Sequence, residues 1–243
     1  MHDILTHKKT FSLNKNKTKK TISPNSTYRV LHVQEWSTES LTIPFGESCF
    51  IIDTTFRARY SLNIFGECHL LKLCLWKETS HTLCAEVESK SIFTVDAIIL
   101  SENTELTLFS SVVGDFAHAR INILALAKDN ANFSLSGNIS VQKYIQGYSA
   151  YVRQQCILLW NTAQIRGVPT LTIGSKDGEA WHSCTMSRLS DEGIFYLESH
   201  GIDRNTATQL ITEGLIEKRL QCFIWLPEYD SLRASLLQDL YLW

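Results

Sequence analysis

The feature that most constrains this chain is a succession of short runs in which apolar residues alternate with small or polar ones, from Tyr28 to about Leu189. The runs include "SCFIIDTTF", "HLLKLCLW", "SIFTVDAIIL", "TELTLFSSVV", "ARINILALA", "ANFSLSGNISV", "AYVRQQCILLW" and "PTLTI". In "ARINILALA" Ile121, Ile123 and Ala125 share one face. In "NFSLSGNISV" Phe133, Leu135, Ile139 and Val141 alternate with small or polar residues, the period of a half-buried strand. No stretch here holds helical spacing. Strands this closely spaced suit a sandwich, a barrel or a stacked solenoid. Only four prolines and few Asn-Gly or Asp-Gly pairs argue against tight hairpins and favour a solenoid, in which each coil covers the next.

After Leu189 the pattern changes. Ser190 can cap a helix whose first turn holds Asp191 and Glu192, both favourable at the positive end of the helix dipole, and Gly201 is a left-handed stop. Asp203 can cap a second helix with an apolar face of Ala207, Leu210, Ile211, Gly214 and Leu215. A third helix is expected after Pro227, with Leu232, Leu236 and Leu240 one turn apart. The expected organisation is a basic tail (1–27), a β domain (28–189) and a helical region (190–243). The tail carries "HKKTFSLNKNKTKK", six lysines with no acid, which cannot bury enough surface to order itself.

Composition excludes some function classes. Of 243 residues, 44% are hydrophobic and 20% charged, ordinary for a globular protein. A formal charge of -2 is too small to make nucleic acid the main partner. No apolar run reaches the roughly 20 residues of a membrane span, and no signal-peptide core opens the chain, so a cytoplasmic protein is expected. Seven cysteines at irregular spacings read as free thiols. No phosphate loop, dinucleotide-binding glycine motif or GxSxG elbow is present, so neither nucleotide hydrolysis nor common hydrolase chemistry is supported.

Metal chemistry rests on weaker spacing. Cys68, His69, Cys74, His81 and Cys84 match no zinc-finger pattern and read as core thiols and ordinary histidines. If "AWHSCTM" is a strand, His182 and Cys184 leave the same face and can both reach one soft metal ion. A packed histidine beside a packed thiol fits the same spacing.

The segment "VPTLTIGSKDGEAWHSCTMSRLSDEGIFYLESHGIDRNTATQLITEGLIEKRL" resembles the C-terminal signature of the SufB/SufD family, the scaffold subunits of the SUF iron-sulfur cluster assembly machinery. The resemblance is carried by Pro169, Leu171, Ile173, His182, Thr185, Leu189, Phe195, Tyr196, Leu197, Ser199, Gly201, Ile202, Ala207, Glu213 and Gly214. It continues upstream more weakly through Gly137, Gln146, Gly147, Ala150, Tyr151, Leu158 and Leu159, and nothing before about residue 90 contributes.

The resemblance implies a right-handed parallel β-helix followed by C-terminal helices. It further implies a non-enzymatic scaffold that pairs with a SufB-like subunit, or with its own copy, and is driven by a separate SufC-like ABC-type ATPase. The cofactor implied is a nascent iron-sulfur cluster, transient and shared with the partner, without nucleotide, nucleic acid or membrane. His182 matches the interface histidine of SufD-like members. The cysteine that SufB-like members carry after the "AY" turn falls at Gln154, with Cys156 two residues on. A frequent cysteine two residues before the histidine is Ala180 here, and a carboxylate directly after it is Ser183. The chain is therefore SufD-like, with His182 as the ligand and Cys184 and Cys156 as packing residues first and ligands second. The ATPase contact implied at the helical end takes in Phe195, Tyr196, Leu197, Gly201, Ile202 and Gly214. Two other readings compete: a cupin-like β-barrel metalloenzyme using His69, His81, His118 and His182, though no H-x-H pair is present, and a degenerate scaffold that only stabilises its partner.

Overall fold

A computed structural model of the chain describes residues 20–21, 27–33, 40–224, 226 and 229–242. Its strands are β1 (Lys20–Thr21), β2 (Thr27–Val33), β3 (Ser40–Ile43), β4 (Ser48–Asp53), β5 (Arg57–Ile64), β6 (Glu67–Cys74), β7 (Glu78–Val87), β8 (Ile92–Ile99), β9 (Asn103–Val112), β10 (His118–Ala127), β11 (Asn132–Val141), β12 (Gln146–Leu158), β13 (Gln164–Ile173) and β14 (Asp177–Arg188). Three helices follow: α1 (Asp191–Ser199), α2 (Arg204–Leu220) and α3 (Tyr229–Leu242). Of the basic tail, Lys20 and Thr21 pair antiparallel with β2, which begins at the tail's last residue, Thr27, while residues 1–19 and 22–26 lie outside the described residues.

From β2 onwards successive strands alternate between two sheets. One runs β1-β2-β4-β6-β8-β10-β12-β14 and the other β13-β11-β9-β7-β5-β3, among the described residues. Apart from β1, every pairing is parallel. This is the parallel β-helix, and it rules out the antiparallel cupin-like barrel.

Alternation explains the interior. Phe133, Leu135, Ile139 and Val141 of β11 and Ile121, Ile123 and Ala125 of β10 point inward and are buried. Several corners turn on a residue with positive φ that is not glycine: Lys90, Phe116 and Tyr144 precede β8, β10 and β12. The turns between sheets therefore need no hairpin glycines, which is why the tight-hairpin signals are sparse.

The eight-stranded sheet is apolar on both faces. Phe50, Leu71, Leu73, Ile98, Leu124 and Leu126 point outward and are covered by Ile216, Leu220, Phe223, Leu236 and Leu240. The helices are built from local signals. Ser190 Oγ accepts from the Gly193 N–H at the start of α1, and Asp203 accepts from Asn205 and Thr206 at the start of α2. Gly201 takes φ of 81° between them. The buried side of α2 differs from the expected stripe: it is Ala207, Thr212, Ile216 and Leu220, while Leu210 and Gly214 face solvent. Burial of Thr212 is tolerated because its hydroxyl donates to the carbonyls of Thr208 (3.0 Å) and Gln209 (2.8 Å).

Candidate functional site

Each strand of a parallel solenoid places its inward residues directly above those of the strand before it. One such column reads Asp53, Lys72, Ala97, Ile123, Gln154, Cys184. The column facing it from the other sheet reads Ala58, His81, Leu106, Leu135, Gly167. The first is apolar in the middle and polar towards its ends, and His81 is the one polar member of the second.

At the late end the solenoid is uncovered. β14 is the outermost strand of one sheet and β13 of the other, so each has one edge with no strand beside it among the described residues. Most of β14 is exposed, although its inward positions continue the core: Ala180, His182, Cys184 and Met186 stand in register beside Ala150, Val152, Gln154 and Cys156. His182 and Cys184 thus share the face that their spacing predicts, and both are exposed. His182 therefore stands exposed at the uncovered end of the solenoid. On the outer face of the same strands Arg120, Tyr151 and Trp181 form a ladder, with the guanidinium 5.4 Å from the Tyr151 ring and the two rings 5.2 Å apart.

Beneath His182 lies a feature that sequence reasoning missed. Gln154 is 0% exposed, yet neither atom of its amide has a hydrogen-bond partner. Across from it Gly167 permits close packing: a Cβ there would lie 2.8 Å from Gln154 Oε1, 3.3 Å from Cys184 Sγ and 3.7 Å from Cys156 Sγ, so a larger residue would have to displace the amide. Burial pushes the Cys156 thiol up to about 12, reinforced by the neighbouring Cys184. Read in sequence, Gln154 marked only a departure from a cysteine. An amide on an inward position among Val152, Cys156 and Ile157 was the available signal.

The other polar cluster is at the early end. The Lys72 ammonium is 2.9 Å from Asp53 Oδ1 and donates to the Thr55 carbonyl and hydroxyl at 2.5 and 3.1 Å. Tyr60 and Thr55 donate their hydroxyls to the same carboxylate, each at 2.7 Å. His81 Nε2 lies 2.9 Å from Asp53 Oδ2, but its N–H is not aligned on the oxygen, so the contact is electrostatic. Burial works to raise the Asp53 carboxyl, yet the His81 contact, the charges of Lys72 and His81 and the Thr55 hydroxyl outweigh it and hold it well below the usual carboxylate range. Burial lowers the His81 imidazole, and the nearby Lys72 charge adds to that. Cys68 and Cys74 are buried thiols raised by desolvation, and His69 stacks on Phe50 with centroids 4.9 Å apart. Among the described residues no group of three His, Cys, Asp or Glu side chains is placed to hold a metal ion.

Ile194 of α1 is buried, while Phe195 is 71% and Tyr196 62% exposed, and Leu197 and Ile202 are half-buried. Gly201 and Gly214 are exposed, and a Cβ on either would meet nothing within 4 Å. No helix among the described residues is long and apolar enough to cross a membrane.

Comparison with known proteins reaches further towards the N-terminus than the motifs do. The family model described as "SUF system FeS cluster assembly, SufBD core domain" matches residues 3–215. The iron-sulfur cluster assembly protein SufD of Escherichia coli is 25% identical over 193 residues, 63% of this chain and 45% of that protein. An iron-sulfur cluster assembly SufBD family protein of Archaeoglobus fulgidus is 25% identical over 165 residues, 65% of this chain and 42% of its own length. A SufBD family protein of Pyrococcus horikoshii is 30% identical over 71 residues, 29% of this chain and 16% of that protein. The chain thus spans less than half the length of these relatives.

Proposed function

Since the chain belongs to the SufBD core family of the SUF iron-sulfur cluster assembly system, we propose that it is a SufD-like, non-enzymatic scaffold subunit that contributes His182 to a cluster-forming site shared with a SufB-like partner. The observation that carries this reading is the position of His182, exposed on the outermost strand at the uncovered end of the solenoid. A second solenoid docked there would extend both sheets through the free edges of β13 and β14, satisfying their backbone groups and closing the interior.

The cluster is cargo in this scheme. A single imidazole cannot hold it, and clusters are bound mostly by thiolates with histidine as an established substitute, so the partner supplies the remaining ligands. One ring nitrogen of His182 meets iron as the neutral imidazole while the other donates to an acceptor that fixes the tautomer. Driving force comes from a separate SufC-like ATPase docked on α1 and the start of α2, where Phe195 and Tyr196 present apolar surface that the chain leaves uncovered. Work in the cytoplasm agrees with this role.

The test is reconstitution of the complex with iron and sulfide. His182→Ala should leave the complex assembled and remove the cluster it gains over the isolated chain. Equal cluster content in mutant and parent complexes would overturn the ligand role and leave a scaffold that only stabilises its partner.

A further inference from the structure

The outer ladder of Arg120, Tyr151 and Trp181 stops at the free edge of the sheet. Tyr151 lies against the indole at 5.2 Å, and Arg120, from the strand on the other side of β12, lies 5.4 Å from the Tyr151 ring. Beyond Trp181 no strand is hydrogen-bonded to β14 among the described residues, and the residue is 47% exposed. Glu179, two positions earlier on the same outward face, accepts the Tyr151 hydroxyl at 2.6 Å. That bond ties an exposed carboxylate to the ring against which the indole packs. Neighbouring strands lie about 4.8 Å apart, so a strand added beside β14 brings one outward side chain to the spacing that the ladder already has.

We propose that Trp181 and Glu179 form the acceptor for an arginine of the docked scaffold partner, whose guanidinium stacks on the indole and pairs with the Glu179 carboxylate. This rests on the docking of a second solenoid at β14 set out above, and it names what that partner must carry. The chemistry of the two residues selects the side chain. An indole face attracts a cation through its quadrupole, and a guanidinium can stack flat on it while its in-plane N–H groups still donate to a carboxylate, which a compact ammonium cannot do. The chain already uses half of this arrangement one strand further in, where Arg120 packs on Tyr151. An aromatic partner residue would leave Glu179 desolvated without a cation, and an acidic one would be repelled. A second copy pairing through the same strand does not supply the cation, because the outward residues of β14 are Glu179, Trp181, Ser183, Thr185 and Ser187. The occupant is therefore an arginine of a different chain. Since His182 lies on the inward side of the strand, the contact sets the partner's register without touching the ligand.

The experiment measures association of the full chain with the SufB-like scaffold of the same cells, by calorimetry over a range of sodium chloride concentrations. Trp181→Leu, which keeps apolar area and removes the aromatic face, should weaken association by more than about tenfold, and Trp181→Phe should recover part of the loss. Glu179→Gln should weaken it by about threefold or more and flatten its dependence on salt. Replacing the partner's arginines one at a time should uncover one whose loss costs nothing further in the Trp181→Leu background. Thermal melts of the isolated variants should match the parent, since both side chains are exposed. Parent-like affinity in Trp181→Leu, or losses from every partner arginine that add fully to it, would overturn the arginine contact while the docking of the two scaffolds stands. Absence of binding by the parent chain would instead overturn the docking, and this contact with it.

Discussion

Lys72 and Asp53 are register neighbours across the β4–β6 pair, 2.9 Å apart, and neither side chain has exposed surface. The pair is completed by Thr55 and Tyr60, so both charges are neutralised and hydrogen-bonded inside the solenoid. Removing one partner would strand the other in a low dielectric, at a cost of about 3–5 kcal/mol. Lys72→Ala should therefore lower the denaturation midpoint strongly in urea. Lys72→Met combined with Asp53→Leu should recover much of the loss. Equal destabilisation by the single and double variants would count against this reading.

The same cluster sets an acid limb. An unfolded histidine gains its proton near 6.5, while His81 resists it in the fold. Below that pH the unfolded chain binds more protons, and stability falls. Asp53 repeats the sign lower down: an unfolded aspartate protonates near 3.8 and folded Asp53 does so only in stronger acid, so its contribution is whole above that value and fades beneath it. Thermal melts should show Tm declining from about pH 6.5 downward and more steeply below about pH 4. His81→Gln should flatten the upper part of the decline alone, and an unaltered profile in that variant would exclude His81 as its source.

His182 carries no packing duty that the fold shows, because it is exposed on β14. His182→Ala should change the isolated chain's stability by less than about 0.5 kcal/mol. Its effect should appear only in the complex, as lost cluster absorbance with unchanged complex size. A destabilised isolated chain would instead make the histidine a structural residue.

Phe195 and Tyr196 offer a comparable separation at the helical end. Both are largely exposed, so Phe195→Ser and Tyr196→Ser should leave the melting curve nearly intact and weaken ATPase binding, read by pull-down or calorimetry. Gly214→Ala should stabilise the isolated chain by up to about 1 kcal/mol, because the site is open and alanine is the better helix former. Reduced ATPase binding by this stabilised variant would indicate close backbone approach there, whereas full binding by all three variants would move the docking surface elsewhere.

Phe223 tests whether the helical end can be detached. It is buried with Phe50, Leu71 and Leu124 against the eight-stranded sheet, and Phe223→Ala should cost about 3–5 kcal/mol. Cutting the chain after Leu189 would uncover that apolar sheet face, so the shortened protein should associate or aggregate on size exclusion. A monodisperse, fully stable truncated monomer would contradict this packing.

Much of this architecture was legible because period-2 alternation is a local signal. Phe133, Leu135, Ile139 and Val141 announced their inward side, and Ser190, Gly201 and Asp203 announced the helix ends. Parallel pairing was not local, and it came from the family resemblance and from the sparse hairpin signals. Lys72 escaped notice because a lysine in the apolar run "HLLKLCLW" gives no hint that Asp53 lies beside it one coil earlier. The apolar stripe expected on α2 was displaced because the sheet meets its C-terminal half, a choice made by tertiary contact. At the site, the shared face of His182 and Cys184 followed from spacing, whereas the convergence of Gln154, Cys156 and Gly167 needed the register between strands.

The inward column has its polar members near the ends, with Ala97 and Ile123 between them. From Lys72 to Cys184 there are four strand spacings, about 19 Å, through a stretch whose facing residues, Leu106 and Leu135, are also apolar. The two ends therefore share no contact, and substitutions in them that leave net charge unchanged should add in stability without coupling. The early coils can serve as a fixed foundation while the exposed last strand diverges in sequence to suit whatever is assembled against it.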